Sequence, residues 1–494
     1  MSQPIPALRK TALNGWHWAN GGRMTAFAGW ELPEEYSGVV DEHLAVRTRA
    51  GLFDISPMGN VEVAGRDALA AMQRVTCGDA SRLKAGEMQR SALTTPAGAI
   101  LDLVAVHRLG SSHFLLVVSA GRVAADVAWI AEQAKACGDV VVLDTSSRYA
   151  GVSLQGPMAE ELLQGLTSLV LADLEPGAFM HGEVAGVRVT ISRAGATGEN
   201  GYELLAPPQA ASKLWTAILQ EAGPDDVVPV GLAAQETLRL EAGVRIVGTD
   251  IDETTTVLEA GLEDLVAWDK RAFVGRDALA AQKSDGVARR IVGFEMIDPI
   301  VAVRGRVARV DGVEAGVVTS GAETPSLKRP IGFACLSAAH AAPGTAFEVD
   351  VEGRPARARV VTLPFYHRPA RLAMYPDTYK YTNDHEWFEI ATGRMGITDY
   401  AQHQLGDIVF LELPEVGRAV KKGDQIGSVE SVKAVSEVFA PMSGTIAEVN
   451  TGLAEKPEVI NQDAHGSWMV VIKPADPAEA QQLLGAAQYS ELTK

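Results

Sequence analysis

The sequence predicts an α+β protein whose last part is almost entirely β, and three observations support this fold class. The chain has 494 residues, which is too long for one hydrophobic core and indicates roughly three or four domains. Up to about residue 363, segments with helical periodicity are mixed with segments of strand periodicity. Prolines at 364, 369 and 376 then interrupt regular structure, and the apolar runs that follow are short strand patterns.

The mixed part, residues 1–368, contains recognisable elements of both kinds. Residues 189–208 (VTISRAGATGENGYELLAPP) indicate a strand, a Gly-rich turn and a second strand. Helical patterns follow Asp126 and cover residues 214–222. Residues 301–363 show mostly alternating apolar and polar positions, which predicts a small β domain of their own.

The last part, residues 377–494, follows a predicted linker at residues 369–376. Its short apolar runs are separated by Gly, Pro and Asp turns, which is typical of a compact barrel or sandwich. Residues 477–484 (PAEAQQLL) predict a terminal helix, with Asp476 near its N-cap position and Gly485 after its end.

Composition excludes several classes of function. With 62 acidic and 44 basic residues the net charge is −18, which disfavours general binding to nucleic acid or to an anionic membrane surface. The N-terminus lacks the apolar region of a secretory signal, and no apolar run is long enough to span a bilayer. The three cysteines show no metal-ligand spacing, so we predict buried thiols, no metal site and a cytoplasmic location.

The strongest chemical signal is a lysine between two strand patterns. In residues 426–446 (IGSVESVKAVSEVFAPMSGTI), two short β runs flank Lys433, which predicts a position at or beside an exposed hairpin tip. An exposed amine on a rigid β scaffold suits the attachment of a swinging arm. Taken alone, however, a single lysine is most often a solvated surface residue.

The surrounding motifs identify this lysine more specifically. The segment from Tyr379 to Pro474 resembles the H protein of the glycine cleavage system through KYTNDHEW (380–387), GITDYAQHQLGDIVFLELPEVG (396–417), ESVKA (430–434), APMSG (440–444) and PEVIN (457–461). The resemblance implies a flattened barrel-sandwich hybrid fold in which Lys433 carries covalent lipoate. It also implies lipoylating enzymes as partners.

Residues 5–368 are similar to the aminomethyltransferases of the T-protein family. The matching segments are MTAFAGWELP (24–33), EHLAVRTRAGLFDIS (42–56), LQGP (154–157), TGENGYE (197–203), GLAAQETLRLEAG (231–243), GTDIDETTT (248–256) and VTSGAETPSLKR (318–329). The resemblance implies three domains around a central folate pocket, the third being a β-barrel at residues 290–368. The implied reaction moves a one-carbon unit from an aminomethyl-lipoyl arm to tetrahydrofolate and releases ammonia.

The resemblance implies a carboxylate for catalysis, since a Gly-Gly-x-x-Asp-Asp turn of the family carries it on the second Asp. Here the segment is Gly98-Ala99-Ile100-Leu101-Asp102-Leu103. An ungapped alignment places Asp102 on the first Asp, with Leu103 on the second. A turn shortened by one residue would instead place Asp102 on the catalytic position. Without the family, a lone Asp near a turn is more often structural.

Four further positions are expected to contact the folate. Glu203 matches a carboxylate that binds the N–H edge of the pterin, a role suited to charge-assisted hydrogen bonds. Gln235 stands where the family has Arg, and Met58 follows a Pro where the family has His. Arg239, in LRLEAG, keeps the family residue, although Arg239 and Glu241 are equally compatible with solvated charges on a helix surface.

Three functions remain open on this basis. The first is aminomethyl transfer from the chain's own lipoyl arm, with glycine decarboxylase (P protein) and dihydrolipoamide dehydrogenase (L protein) as partners. The second is a paralogous folate-dependent enzyme, such as a demethylase, that accepts a one-carbon unit from another donor. The third is a non-catalytic scaffold that presents the lipoyl arm.

Overall fold

The structure is a computed structural model that describes residues 7–221, 223–351, 353–368, 375–376, 378–431 and 434–493. The chain divides into two compact units, Met1–His367 and Arg368–Lys494. Lys433 and most of the predicted linker lie outside the described residues.

The first unit begins with a layer of sheet and helices. Its elements are α1 (Asn14–Ala19), α2 (Val39–Thr48), α3 (Ala68–Val75), α4 (Val123–Ala134), β1 (Arg9–Lys10), β2 (Arg23–Phe27), β3 (Trp30–Glu35), β4 (Ala50–Asp54), β5 (Gly59–Ala64), β6 (Met88–Thr94), β7 (Ile100–Gly110), β8 (His113–Val118) and β9 (Val141–Asp144). Strands β6–β7–β8–β5–β9 form the first sheet, which is antiparallel throughout, and β1–β3–β2 form a small one. The apolar residues of α3 recur at helical spacing, so α3 packs with α4 on one face of the first sheet. The helix predicted after Asp126 is therefore confirmed as α4, which begins at Val123.

A second sheet follows in the chain. Its elements are β10 (Ala150–Gln155), α5 (Ala159–Gln164), β11 (Phe179–Val184), β12 (Val187–Ser192), β13 (Gly201–Ala206), α6 (Ala211–Glu221), α7 (Gly223–Asp226), β14 (Val227–Pro229) and α8 (Leu232–Glu241). The strand order is β11–β12–β13–β10–β4–β14. The predicted strand, turn and strand are β12 and β13, which pair antiparallel with Thr190 opposite Leu205. One face of this second sheet packs on α5 and α6 around the buried Trp215.

The first unit ends in a closed barrel. Its elements are α9 (Arg276–Asp285), β15 (Arg289–Met296), β16 (Val307–Val310), β17 (Val313–Thr324), β18 (Arg329–Ser337), β19 (Ala346–Val351) and β20 (Arg354–Val361). The strand order around the barrel is β15–β18–β17–β16–β19–β20. Burial alternates along β20, as its sequence predicts, because alternate side chains enter the barrel interior.

The second unit is a two-sheet β structure with short helices. Its elements are β21 (Tyr379–Tyr381), β22 (Glu386–Glu389), β23 (Arg394–Ile397), α10 (Asp399–Leu405), β24 (Ile408–Glu412), β25 (Ala419–Val420), β26 (Gln425–Ser431), β27 (Val435–Phe439), β28 (Gly444–Val449), α11 (Thr451–Glu455), α12 (Val459–Gln462), β29 (Val470–Pro474) and α13 (Ala486–Leu492). One sheet has the order β21–β22–β23–β29–β28–β25 and the other β24–β26–β27. Both contribute to one core, for example through Val429 and Ile472.

Two sequence-based expectations about the second unit need correction. The predicted terminal helix is a 3-10 turn at Pro477–Gln482 with Asp476 as its cap, and the true last helix is α13, which starts after Gly485. Tyr375, placed in the predicted linker, is buried and packs against Tyr489 with ring centroids 4.7 Å apart. The end of the predicted linker therefore belongs to the core of the second unit.

Two further observations concern membrane-spanning helices and the cysteines. No helix among the described residues has both the length and the apolar character needed to cross a bilayer. All three cysteines are free thiols, but only Cys77 is fully buried, so the expectation of three buried cysteines was wrong for Cys137 and Cys335.

Candidate functional site

The two faces of the second sheet have different surroundings. On β13, Tyr202 and Leu204 point into the hydrophobic core with Trp215. Side chains alternate along a strand, so Glu203, between them, points to the other face. There Glu203 lies between Ser153 of β10 and Ser192 of β12.

The side chain of Glu203 is half-buried, and its carboxyl group has no partner among the described residues. Among the described residues, none donates a hydrogen bond to it or neutralises its charge, and burial raises the pKa of Glu203 to about 7. An ionised carboxylate in such surroundings is costly unless a donor is supplied. A ligand with adjacent N–H groups would supply that donor, so this face of the sheet is the candidate site.

One face of β7 meets this site. The ring of His107 packs against Phe179 of the second sheet at 5.1 Å, and its Nε2 lies 3.1 Å from the Oγ of Ser192. Strand β7 pairs regularly with β6 from Asp102 to His107. Alternation along the strand therefore places Leu103 on the same face as His107, toward the candidate site.

Asp102 lies on the opposite face of β7. Its side chain is fully buried, and its carboxylate accepts hydrogen bonds from the Ser119 amide at 2.8 Å and the Ser119 hydroxyl at 2.6 Å. Its charge also raises the pKa of Asp126 on α4. This placement turns the Asp102 carboxylate away from the candidate site, whereas the side chain of Leu103 lies on the face toward it. The expectation that Asp102 acts on the substrate is not supported by this placement.

Every N–H group of the Arg239 guanidinium donates within the protein, so none is left for a ligand. The side chain of Arg239 is 3% exposed, and its Nε and Nη atoms donate to Glu236, Asp250, the carbonyl of Val244 and the hydroxyl of Ser320. These bonds use all five N–H groups of an arginine. The alternative of a solvated surface charge is also wrong, since both Arg239 and Glu241 are buried.

The other two predicted contacts lie at element ends. Met58 follows β4, is half-buried, and its N–H donates to the carbonyl of Ile55 at 3.1 Å. Gln235 is half-buried in the first turn of α8. Their contact with a folate remains a prediction.

Sequence reasoning missed a buried network around α8, which we call the α8 network. It consists of His43, Arg47, Arg239, Glu241, Asp250, Thr319, Ser320 and Ser326. Arg47 donates to Glu241 at 2.8 Å, and its guanidinium also lies 3.7 Å from the Tyr366 ring centroid. Burial alone would raise the pKa of Glu241, but hydrogen bonds from His43 and Ser326 and the charge of Arg47 hold it at about 2.

The α8 network ties α2 and α8 to the barrel. Its members fall in the segments EHLAVRT, LRLEAG, GTDID and VTSGAETPS, which are separated by up to about 280 positions in the chain. A charged residue in a helix pattern is expected at the surface. No local sequence pattern distinguishes a charged residue in a buried ion pair from one at the surface. The only sequence signal for the network was that its residues fall within the motifs that resemble the family.

The carrier hairpin is formed by β26 and β27. Glu430 lies opposite Val435, and the Ser431 N–H donates to the carbonyl of Ala434 at 2.8 Å. Lys433 itself lies outside the described residues, so its predicted modification stays a prediction. A separate groove of about 490 Å³ lies on the second sheet near Arg148, Tyr149, His181 and Arg188, and no predicted site residue lines it.

Comparisons with known proteins agree with this architecture. The family model "GCVT N-terminal domain" matches residues 13–270, and "Glycine cleavage T-protein C-terminal barrel domain" matches residues 289–367. The chain belongs to the glycine cleavage T-protein family. The model "Glycine cleavage H-protein" matches residues 379–494, so the T part is followed by an H-like part.

Individual relatives cover the T part. The chain is 41% identical over 361 residues to an aminomethyltransferase of Desulfitobacterium hafniense (strain DSM 10664 / DCB-2), covering 73% of this chain and 99% of that protein. It is 41% identical over 363 residues to an aminomethyltransferase of Geobacillus kaustophilus, with the same coverage. The crystal structure of glycine cleavage system aminomethyltransferase T from Bartonella henselae matches with 33% identity and a TM-score of 0.68, covering 73% of this chain and 99% of that one. The predicted α+β fold class is therefore confirmed.

Proposed function

We propose that this chain transfers a one-carbon unit from an aminomethyl-lipoyl arm on Lys433 to tetrahydrofolate, with release of ammonia, in glycine cleavage. The observation that carries the proposal is the presence in one chain of a complete T part and an H-like part. Its partners are then glycine decarboxylase and dihydrolipoamide dehydrogenase, together with the enzymes that attach lipoate.

The residues of the site fit a reduced folate. Glu203 is an unpaired carboxylate between two strands, and the pterin edge presents adjacent N–H donors that bind a carboxylate at two points. His107 and Ser192 close the site beside it. The apolar Leu103 excludes water on the β7 side, which protects the one-carbon unit from hydrolysis.

The H-like part fits a carrier arm. Lipoate supplies a sulfur that holds the aminomethyl group when it is bound to Lys433. The strands β26 and β27, which precede and follow Lys433 in the sequence, pair with each other, with Glu430 opposite Val435. Joining carrier and transferase in one chain turns their encounter into an intramolecular event, at an effective concentration on the order of millimolar.

Product formation tests the proposal directly. The lipoylated full chain is supplied with glycine, the decarboxylase and tetrahydrofolate, and methylenetetrahydrofolate and ammonia are measured. Lys433→Arg should abolish both products, whereas Lys456→Arg, on the exposed surface of the same unit, should leave them unchanged. Mass analysis should show the lipoyl increment on the peptide that holds Lys433. Full product from Lys433→Arg would rule out this lysine as the carrier.

One observation favours a second candidate function, a non-catalytic T part that presents the arm. The face of β7 at the site carries Leu103, and the neighbouring carboxylate of Asp102 is turned away from it. A positioned acid or base contributes roughly a hundred- to ten-thousand-fold to such a reaction. Tetrahydrofolate that binds but yields no product, while a separate T protein turns over the same lipoylated chain, would favour this second function.

A further inference from the structure

Arg245, which follows α8, carries a guanidinium that the described part of the chain leaves largely unpaired. Its side chain is half-buried, and within the described residues it donates one hydrogen bond, from Nη1 to the carbonyl of Gly243 at 3.3 Å. Its Nε is fully buried and has no partner among those residues. Arg239, shortly before it in the chain, uses all of its N–H groups. The two arginines therefore differ in whether the protein itself satisfies them.

An aromatic ring and a glycine lie next to the Arg245 guanidinium. Its Cζ is 5.6 Å from the ring centroid of Phe333, which is fully buried. Gly261 lies beside Nη2, and a β-carbon at that position would approach it to 3.3 Å. Burial lowers the pKa of Arg245, the charge of Asp250 raises it in part, and the charge of Arg90 lowers it. Since an arginine stays protonated in a protein, the fold keeps a half-buried cation whose remaining N–H groups need acceptors.

Arg245 adjoins the part of the candidate site that Leu103 lines. Phe333, next to its guanidinium, belongs to the same hydrophobic cluster as Leu103. Arg90 of β6 lies opposite Ala105 of β7, and residues directly opposite each other in a sheet share a face. Side chains two apart along a strand also share a face, so Arg90 projects from the face that carries Leu103. Two cations therefore lie beside this part of the site.

The candidate site thus has two ends of opposite charge. His107 meets Ser192, which lies opposite Glu203 in the second sheet. Leu103 is four residues before His107, or about 13 Å away along β7. At one end, Glu203 offers acceptors to N–H donors. At the other end, Arg245 offers N–H donors to an anion. A ligand that satisfies both is extended, with donors at one end and negative charge at the other.

We propose that Arg245 binds the carboxylates at the glutamate end of tetrahydrofolate, with Arg90 as a second cation beside it, and so selects folates over pterins without a tail. The inference rests on the proposed function. Tetrahydrofolate has N–H donors on its pterin and carboxylates on its glutamate, so one molecule satisfies both ends of the site. A guanidinium and a carboxylate pair through two parallel hydrogen bonds, which are stronger than bonds between neutral groups.

Binding of two ligands to the full chain at pH 8, measured anaerobically, tests the assignment. The ligands are tetrahydrofolate and 6-methyltetrahydropterin, which keeps the N–H edge and lacks the glutamate tail. Arg245→Gln should weaken tetrahydrofolate binding by roughly ten- to a hundredfold and leave binding of the pterin unchanged. Arg245→Lys keeps the charge but not the paired donors, so it should recover part of the affinity. Glu203→Gln should weaken the binding of both ligands.

Arg304→Gln is the matched control, because Arg304 is exposed and also donates to a backbone carbonyl, that of Gly248. It should change neither affinity. Added salt should weaken tetrahydrofolate binding more in the wild type than in Arg245→Gln. Equal losses for both ligands in Arg245→Gln, or no loss for either, would overturn the inference even where the wild type forms product from glycine. Tail-dependent binding that needs Arg245, without product from glycine, would leave the tail site standing and remove the proposed function.

Discussion

The α8 network contains buried carboxylates of the T part and the candidate folate site contains one half-buried carboxylate, and the two regions differ in whether these carboxylates are paired. In the α8 network each carboxylate is paired: Glu241 accepts from Arg47 and Ser326, and Asp250 accepts from Arg239. In the site, Glu203 has no partner among the described residues. The two pKa values diverge accordingly, to about 2 for Glu241 and about 7 for Glu203.

This difference separates structural from ligand-binding residues more clearly than residue type does. A buried carboxylate whose acceptors are all used stabilises the fold and has nothing left for a ligand. A half-buried carboxylate without donors carries part of the desolvation cost and keeps its acceptors free for a ligand. Arg239 and Glu203 were both predicted to contact folate, and by this criterion only Glu203 is available to do so.

The largest effect is expected from breaking the α8 network. Glu241→Ala leaves Arg47 and His43 buried without their common partner, so the T part should lose about 3–5 kcal/mol of unfolding free energy. Denaturant unfolding measures this loss. Asp298→Ala, which removes an ion pair on the exposed surface of the barrel, is the matched control and should leave the midpoint unchanged. Equal stabilities for the two variants would mean that the network is not what joins α8 to the barrel.

At the candidate folate site, a substitution is expected to weaken ligand binding and to raise the stability of the ligand-free protein. Glu203→Gln should weaken tetrahydrofolate binding by roughly ten- to a hundredfold, since a charge-assisted hydrogen bond contributes about 1.5–3 kcal/mol. The same change should stabilise the ligand-free protein at pH 8, because it removes a carboxylate whose folded pKa is raised and whose contribution to stability is lost as the pH rises through about 7. Calorimetric binding and unfolding of one variant measure both effects. A destabilised Glu203→Gln would place Glu203 with the structural residues.

The smallest effect on stability is expected from removing one of several hydrogen-bond donors to a carboxylate of the α8 network. The Thr319 hydroxyl donates to Asp250 at 3.0 Å, but Asp250 also accepts from Arg239, Ser320 and the amide of Ile246. Thr319→Val keeps the shape and removes one of several donors, so it should cost about 1 kcal/mol. Thr48→Val, at an exposed hydroxyl of α2, should change stability less. A loss as large as that of Glu241→Ala would show that the network fails as a unit.

The site was only partly predictable from the sequence, and Asp102 shows why. Leu93 lies opposite Asp102 while Thr94 lies opposite Ile100, so Leu101 is an extra residue at the start of β7. One extra residue in a strand moves the side chains on one side of it to the opposite face of the sheet. The motif Gly-Ala-Ile-Leu-Asp-Leu contains no local signal for this irregularity, which depends on pairing with β6. Because both oxygens of the Asp102 carboxylate accept hydrogen bonds from Ser119, Asp102→Asn is expected to destabilise the protein.

The sequence by itself determined the fold class, the family, the order of T and H-like parts and the strand patterns around Lys433. These depend on motifs and periodicities that are local in the chain, so they can be recognised from the sequence without a structure. Only the tertiary structure decided that the Asp102 carboxylate is bonded to Ser119, that all N–H groups of Arg239 are used, and that Tyr375 packs in the core of the second unit. The direction of a side chain and the identity of its partners depend on contacts between distant segments, which no local pattern specifies.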